Sequence, residues 1–287
     1  MRVSIIGGRG LVGNGIASAL ADSHSVTVFG SADFDHDTLK FKSPEVFNCD
    51  LFVHAAGITD ETVANDYDFS VFKSNQFIKY LVDELDKTEC SQIVYISTIH
   101  AFGDLTRELN GRSCSDPLSI YGLLHFTTEK MFEIHTKRTS MDYLGLRVPT
   151  IYGFPKDKLR ITRPKIIQYA FPLAVKNRNS ITLKSSGEQY RLFASNYKVG
   201  RVISEWLSDP HRGSMTNDFV QGENMTVKAF AQLCIQKYHE VAASNPNLVI
   251  DSKEPLEEFC REILVTPKYD VLESYTLEDF LLELFNL

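Results

Sequence analysis

The chain has 287 residues, of which 43% are hydrophobic and 23% charged, with a formal net charge of −7 at pH 7. This length and composition are typical of a globular α/β protein that has one large domain and a smaller lobe. The acidic net charge argues against broad nucleic-acid binding, and no apolar stretch reaches the length of a membrane-spanning helix. We therefore expect neither nucleic acid nor a membrane as a partner.

Short apolar runs alternate with segments of helical spacing through the first half of the chain. The predicted strands are Arg2–Ile6, Val26–Phe29, Leu51–His54, Ile93–Ile96 and Tyr143–Val148. The helices predicted between them include Phe69–Leu85 and Phe126–Ile134. This alternation predicts a doubly wound parallel sheet of the Rossmann type, with ligands bound beyond the carboxyl ends of the strands.

Three glycines, Gly7, Gly10 and Gly13, lie between the first predicted strand and the helical pattern of Ile16 to Leu20. Glycines at this spacing permit a tight turn, close approach of the backbone to a pyrophosphate, and close packing of helix on strand. The anion would lie at the positive end of the helix, where backbone N–H groups lack partners. The turn therefore predicts a dinucleotide site.

The regular alternation of predicted strands and helices ends after Gly153. We therefore expect a dinucleotide-binding domain over residues 1–153 and, over 154–287, a lobe that mainly binds substrate and can return elements to the first sheet. Two further helices are predicted there, over Val227–Ala242 and Leu277–Leu284.

Several motifs, in order along most of the chain, resemble those of the extended short-chain dehydrogenase/reductase family of nucleotide-sugar epimerases, dehydratases and reductases. Besides the glycine turn they are Val53–Gly57, the helix residue Asn75, Ile96–Gly103, Tyr121–His125, Leu146–Gly153 and Gly187–Phe193. The family pattern at Tyr121–His125 is tyrosine, three residues, then lysine. Here histidine takes the place of the lysine.

The resemblance implies a role for each matching residue. Tyr121 would donate or accept a proton at the sugar carbonyl, Thr98 would hydrogen-bond the same oxygen, and Arg191 would approach the nucleotide part of the substrate. The residues expected to bind the cofactor are Gly7, Arg9, Gly10, Leu11, Val12, Gly13, Ser31, Ala55, Ala56, Gly57 and His125.

His125 stands at the catalytic spacing, where the family lysine lowers the tyrosine pKa and binds the nicotinamide ribose. The i, i+4 spacing places Tyr121 and His125 on one face of a helix. An imidazole carries less positive charge at pH 7 than an ammonium, although it can donate to ribose. Three interpretations follow: His125 is a working substitute, another cation lies nearby, or the site is inactive.

His100 lies two residues beyond Thr98, where the resemblance places an acid in dehydratases and a cysteine in one epimerising type. The segment Ile99-His100 lacks the Asp-Glu pair of a 4,6-dehydratase, which disfavours water elimination. His100 could exchange a proton beside a keto group or only hydrogen-bond the substrate.

The end of the second predicted strand bears on the choice of cofactor. NAD-preferring folds place an acid there, whereas this chain has none before Asp33. Arg9 lies in the glycine turn, and a guanidinium suits a 2′-phosphate. This favours NADP(H), with NAD as the alternative if Asp33 or Asp35 folds back toward the ribose.

Five cysteines are scattered without metal-ligand spacing, and we expect reduced thiols, no metal site and a cytoplasmic location without a signal peptide. The leading hypothesis is an NADP(H)-dependent reductase or epimerase of a keto nucleotide sugar that uses Tyr121 and Thr98, with a homodimer as one expectation. The alternative is a catalytically weakened dinucleotide-binding protein with a regulatory or scaffolding role.

Overall fold

A computed structural model of the chain describes residues 1–57, 59–110, 113–159, 161, 164–252 and 261–287. The strands are β1 Arg2–Ile6, β2 Ser25–Phe29, β3 Phe34–Asp35, β4 Lys40–Phe41, β5 Leu51–His54, β6 Gln92–Thr98, β7 Leu109–Asn110, β8 Asp142–Val148, β9 Thr150–Tyr152, β10 Ser180–Leu183, β11 Tyr190–Ser195, β12 Met215–Phe219, β13 Glu223–Thr226, β14 Asn247–Ile250 and β15 Val265–Thr266.

The helices surround these strands. They are α1 Leu11–Leu20, α2 Asp60–Asn65, α3 Tyr67–Leu85, α4 Ile120–Thr139, α5 Ile167–Arg178, α6 Asn196–Ser208, α7 Val227–Ala242 and α8 Leu277–Asn286. Short 3₁₀ turns cover Ser31–Asp33, Pro44–Phe47 and Ile99–Phe102. Within the described ranges, no helix has the length and apolar character needed to cross a membrane.

The central sheet is six-stranded, in the order β2-β1-β5-β6-β8-β12. Every neighbouring pair in it is parallel. The strand order reverses between β1 and β5, which is the point where open α/β sheets leave a crevice for a ligand. This arrangement confirms the predicted α/β doubly wound fold, and each of the five predicted strands is present within one or two residues at its ends.

Successive residues of the strands pack on opposite faces of the sheet, as the two-residue strand period requires. Ile5 lies in a cluster with Ile16 of α1 and Trp206 of α6. Ile6, the next residue, lies in a second cluster with Ile78 of α3 and Phe132 of α4. The sheet is therefore buried on both faces, which explains its continuous apolar runs.

Helices α1 and α6 approach each other through glycine. A Cβ on Gly15 would lie 2.1 Å from the carbonyl oxygen of Asn196, and one on Gly200 would lie 2.6 Å from the Cβ of Ala19. The helix that follows the glycine turn is thus packed directly on an element from the second half of the chain. Strand β12 also comes from the second half and pairs with β8.

The rest of the second half forms a separate apolar cluster beside the carboxyl ends of the strands. Helices α5, α7 and α8 pack there around Phe193 and Phe280. The predictions of α7 and α8 are confirmed, α7 with the same ends. The division at residue 153 stays a prediction about domains, since α6 and β12 belong to the first layer of helices and to the first sheet.

The four described cysteines, Cys49, Cys90, Cys114 and Cys234, are free thiols. Cys260 lies outside the described residues. Among the described residues, no group of three or more His, Cys, Asp or Glu side chains is arranged to hold a metal ion.

Candidate functional site

The glycine turn joins β1 to α1 at the point where the strand order reverses. Gly7 has a φ of +77°, and a Cβ there would lie 2.7 Å from the backbone of Ala55. Its N–H donates to the carbonyl oxygen of Phe29 at 2.9 Å, so the turn is fixed to both flanking strands. A Cβ on Gly13 would lie 2.3 Å from the Gly7 carbonyl oxygen. Gly7 and Gly13 thus permit close backbone packing, as the spacing predicts.

The surroundings of Gly10 are more open than those of Gly7 and Gly13. A Cβ there would meet only the Gly7 carbonyl oxygen, at 3.2 Å, so the space beside Gly10 is otherwise open. Gly10 is the N-cap of α1 and offers no side chain to the first-turn N–H groups. Together with Leu11 and Val12 it lines a cavity of about 240 Å³, the small cavity. Uncapped N–H groups beside open space are suited to bind an anion such as a pyrophosphate.

A second cavity of about 560 Å³, the large cavity, shares Gly7, Gly57 and His125 with the small one. Its walls come from the ends of β1, β2 and β5, from β3 and β4, and from one face each of α3 and α4. Aromatic rings dominate them: Phe29, Phe34, Phe41 and Phe77, with Ser31, Ala56, Ser70, Lys73 and Ser74 among the other lining residues. The two cavities share lining residues and form one cleft at the carboxyl edge of the sheet, with the aromatic-walled large cavity at one end.

Asp33 follows β2 and folds back over the end of that strand. Its carboxylate accepts the N–H of Gly30 at 2.8 Å and lies 3.3 Å from the guanidinium of Arg9. The positive charge of Arg9 is therefore partly balanced by a carboxylate. The sequence left open whether Asp33 folds back in this way, and the structure places it beside Gly30 and Ser31, which line the large cavity.

Tyr121 and His125 lie in the first two turns of α4, and both line the small cavity. Ser119 caps this helix by accepting the N–H of Gly122 at 3.1 Å. A Cβ on Gly122 would lie 2.4 Å from the carbonyl oxygen of His100, so glycine lets the preceding 3₁₀ turn approach the helix. The Tyr121 and His125 ring centroids are 4.7 Å apart, which agrees with their predicted location on one face.

His125 is buried, and one edge of its ring faces inward. Its Nδ1 lies 2.7 Å from the hydroxyl oxygen of Tyr95 in β6. The Cε1–Nε2 edge faces Gly57: Cε1 would lie 3.3 Å and Nε2 3.7 Å from a Cβ on that glycine. Behind Tyr95 lies His54, at a ring distance of 5.2 Å. Burial, and secondly the nearby His125, lower the pKa of His54 to about 3, so His54 is neutral at pH 7.

Ser97 is a residue that the sequence reasoning did not single out. Its buried hydroxyl has no hydrogen-bond partner among the described residues, and it lines the small cavity. Thr98, the predicted residue, is buried, and its hydroxyl accepts the N–H of His100 at 3.3 Å. Among the described residues that line the cleft, Ser97 is present, whereas Thr98 and His100 are not. The alternation of side chains along β6 is the sequence signal that separates Ser97 from Thr98.

Three other predicted residues lie outside the cleft walls. His100 contacts Tyr121 edge to face, with ring centroids 6.0 Å apart. Arg191 lies in β11, opposite Met225 of β13. Asn75 is exposed on α3 and donates to the carbonyl oxygen of Val71 at 3.1 Å. The α3 residues that do face the large cavity include Lys73, a cation that the sequence reasoning also missed.

A model of the NAD dependent epimerase/dehydratase family matches residues 3–219. The chain belongs to this family. Membership confirms the resemblance to the extended short-chain dehydrogenases and the prediction of an enzyme with a nicotinamide dinucleotide cofactor.

Individual relatives are distant. YtcB of Bacillus subtilis (strain 168), described as an uncharacterised UDP-glucose epimerase, is 21% identical over 239 residues, which are 74% of each chain. The UDP-N-acetylglucosamine 4-epimerase from Methanobrevibacter ruminantium M1 is 16% identical with a TM-score of 0.80, over 99% of this chain and 97% of that one. The UDP-glucuronic acid 4-epimerase from Bacillus cereus, solved with UDP-glucuronic acid and NAD, is 15% identical with a TM-score of 0.79. This match covers 100% of this chain and 98% of that one. These two structures share the fold of the chain.

Proposed function

We propose that the protein is an NAD-dependent epimerase of a nucleotide sugar. The observation that carries the proposal is the meeting of Tyr121 and His125 with the N-terminus of α1 around one small cavity. In this proposal, a proton-transfer group, a hydrogen-bond donor for ribose and an anion site would share one cleft. The similarity to YtcB and to the two 4-epimerases supports epimerisation over net reduction.

The cleft fits a dinucleotide in three respects. The large cavity offers aromatic walls for adenine, the open side of Gly10 leaves room for the pyrophosphate, and the unpaired hydroxyl of Ser97 needs a partner. The family lysine binds the nicotinamide ribose, and His125 stands in its place. NAD bound in this cleft would supply a hydride acceptor for the sugar carbon and, once reduced, a hydride donor to either face of the resulting sugar carbonyl.

Tyr121 would accept the proton of the reacting sugar hydroxyl and give it back after the hydride returns. A free phenol titrates near ~10, so positive charge nearby is needed to make it a base at neutral pH. Among the described residues, Lys73 in the wall of the large cavity would be a source of such charge, and His125 would be another whenever its ring is protonated. The Ser97 or Thr98 hydroxyl would hydrogen-bond the same sugar oxygen.

We propose NAD in place of the NADP(H) favoured by the sequence. Asp33 follows β2, and its carboxylate folds back to the end of that strand, the position from which an acid hydrogen-bonds the ribose hydroxyls of NAD. A 2′-phosphate would meet this carboxylate, which is already paired with Arg9. The family description and the NAD in the Bacillus cereus structure support the same choice.

The experiment is an assay of the purified protein with a panel of UDP-sugars and keto nucleotide sugars. Formation of an epimer without net change in NADH absorbance supports an epimerase, whereas stoichiometric NAD(P)H oxidation indicates a reductase. Tyr121→Phe should lower turnover by about 10²- to 10⁴-fold and leave the NAD affinity unchanged, because only the proton-transfer group is lost. Tyr238→Phe, in α7 and remote from the cleft, is the control. Full activity of Tyr121→Phe would exclude this mechanism.

A second candidate function is a dinucleotide-binding protein with little catalysis. It is favoured by the histidine at the lysine position and by the use of the Thr98 hydroxyl to accept the N–H of His100. This function predicts NAD binding without turnover of any sugar, even in a His125→Lys variant.

A homodimer stays a prediction. Phe72 on α3 and Leu123 and Ile134 on α4 expose apolar surface that a second copy could cover. Light scattering of the purified protein tests this point.

A further inference from the structure

A hydrogen bond joins His125, the residue at the family lysine position, to Tyr95 in strand β6. The two atoms, the Tyr95 hydroxyl oxygen and the His125 Nδ1, are 2.7 Å apart, and both side chains are buried. We propose that Tyr95 is a positioning residue that fixes the tautomer of His125, so that Nε2–H of this ring faces the cofactor cleft. The inference rests on the proposed function, because the ribose of NAD is the group that Nε2–H would bind.

The surroundings of Tyr95 keep its hydroxyl protonated, so that it can act as the donor in this hydrogen bond. Its ring is enclosed in the core, 5.2 Å from the His54 ring and 5.7 Å from the Phe132 ring. Burial, followed by the nearby Glu129 carboxylate, raises the pKa of Tyr95 well above its ordinary value. The phenol therefore stays protonated and can donate to an unprotonated Nδ1 of a neutral imidazole, which leaves the ring proton on Nε2.

The position of the ring determines where that proton is offered. The Cε1–Nε2 edge faces Gly57, a residue that lines both cavities, while Nδ1 is turned into the core. A lysine presents three rotating donors, whereas a neutral imidazole presents one, and only in the correct tautomer. A histidine in place of lysine therefore needs a partner that decides which nitrogen carries the proton, and Tyr95 is placed to do so.

Thr128 is an alternative hydrogen-bond partner for the Tyr95 hydroxyl, and its use would reverse the tautomer of His125. It lies one turn after Leu124, whose carbonyl oxygen accepts its hydroxyl at 3.0 Å. If the phenol of Tyr95 donated to Thr128, it would instead accept from Nδ1–H, and Nε2 of a neutral His125 would face the cleft without a proton. The two arrangements differ in an observable of the cofactor-free protein.

The test is ¹⁵N NMR of the histidine rings in the cofactor-free protein, with His125 assigned from a His125→Gln variant. We expect a protonated Nε2 and an unprotonated Nδ1 at a pH where the ring is neutral. Tyr95→Phe, which keeps the ring and removes the hydroxyl, should give a mixture of tautomers and weaken NAD binding roughly five- to tenfold, as expected for one hydrogen bond. In a His125→Ala background the same change should have no further effect on NAD affinity.

Tyr143→Phe is the matched control. Tyr143 is a fully buried tyrosine in the neighbouring strand β8, and its ring stacks on Phe132 from 6.2 Å. This variant should keep the parental tautomer and NAD affinity.

An Nδ1–H tautomer in the parent overturns the inference even if Tyr95→Phe does not fold, and so does an unchanged tautomer in a folded Tyr95→Phe protein. Failure of the parent to bind NAD would instead overturn the proposed function, because the tautomer is measured without cofactor.

Discussion

The glycine turn and the beginning of α4 border the same small cavity, yet they are held in place by different kinds of contact. The turn depends on backbone approach: Gly7 and Gly13 are required because a Cβ would collide with main-chain atoms. The beginning of α4 depends on side-chain partners, since His125 is oriented by Tyr95 from another element. The turn therefore has a fixed sequence pattern, whereas the function of the helix depends on residues elsewhere in the chain.

The largest expected effects follow from replacing two glycines of the turn, one of which affects NAD binding and the other folding. Gly10→Leu should leave the protein folded, because its Cβ has open space, but should lower NAD affinity on the order of a hundredfold or more by filling the pyrophosphate position. Gly13→Leu should prevent stable folding, since its Cβ would lie 2.3 Å from a carbonyl oxygen. Calorimetric NAD titration and thermal unfolding measure the two effects. Equal NAD affinity in Gly10→Leu and the parent would contradict the site.

The second prediction concerns His125, at the beginning of α4, where side-chain contacts hold the site in place. His125→Ala should reduce turnover and NAD affinity together, by about tenfold or more, because one residue serves both. His125→Lys should match or exceed the parent at alkaline pH, where imidazole is neutral and the ammonium remains charged. Activity profiles over pH for the three proteins provide the measurement. An inactive His125→Lys enzyme, with NAD binding preserved, would favour the binding-protein function.

A smaller effect is expected at the end of β2. Asp33→Ala should weaken NAD several-fold and improve NADP, because it removes the ribose partner and releases Arg9 toward a 2′-phosphate. In the Asp33→Ala background, Arg9→Ala should reverse the gain for NADP. Dissociation constants for both cofactors test this, and losses of equal size for NAD and NADP would remove Asp33 from the choice of cofactor.

The last prediction concerns stability and depends on the burial of His54 behind Tyr95. The pKa of His54 in the folded state is about 3, against 6.5 as its reference. Between these values the unfolded chain binds the proton that the folded protein excludes, so stability rises with pH in this window. The parent should lose about 2 kcal/mol more than His54→Gln between pH 7 and pH 5. Urea unfolding at both pH values measures the difference, and parallel losses would show that His54 can be protonated in the fold.

The sheet was predictable from sequence where it is buried on both faces. Strands β1, β5, β6 and β8 consist of apolar runs, and their positions are confirmed. Strand β12 reads Met-Thr-Asn-Asp-Phe and was missed, because an edge strand paired only with β8 has no need of an apolar run. The polar Asp218 within it accepts two backbone N–H groups, those of Lys268 and Tyr269, which no local pattern indicates.

The candidate site was predictable to a similar extent. The glycine turn was predictable because its sequence pattern is local. The fold-back of Asp33, the inward face of Ser97 and the contact of Tyr95 with His125 were not. Each depends on how a strand end or a helix packs against another element, and the sequence spacing carries no record of that packing.

The glycine contacts between α1 and α6 have a consequence for synthesis of the chain. Helix α1 emerges from the ribosome early, but the surface that Gly15 and Gly200 share forms only when α6 and its Trp206 have also emerged. Until then the apolar side of the nascent sheet is uncovered on that face, and contacts between residues so far apart in sequence form slowly. The layer that contains the glycine turn is thus completed only after α6 has been synthesised.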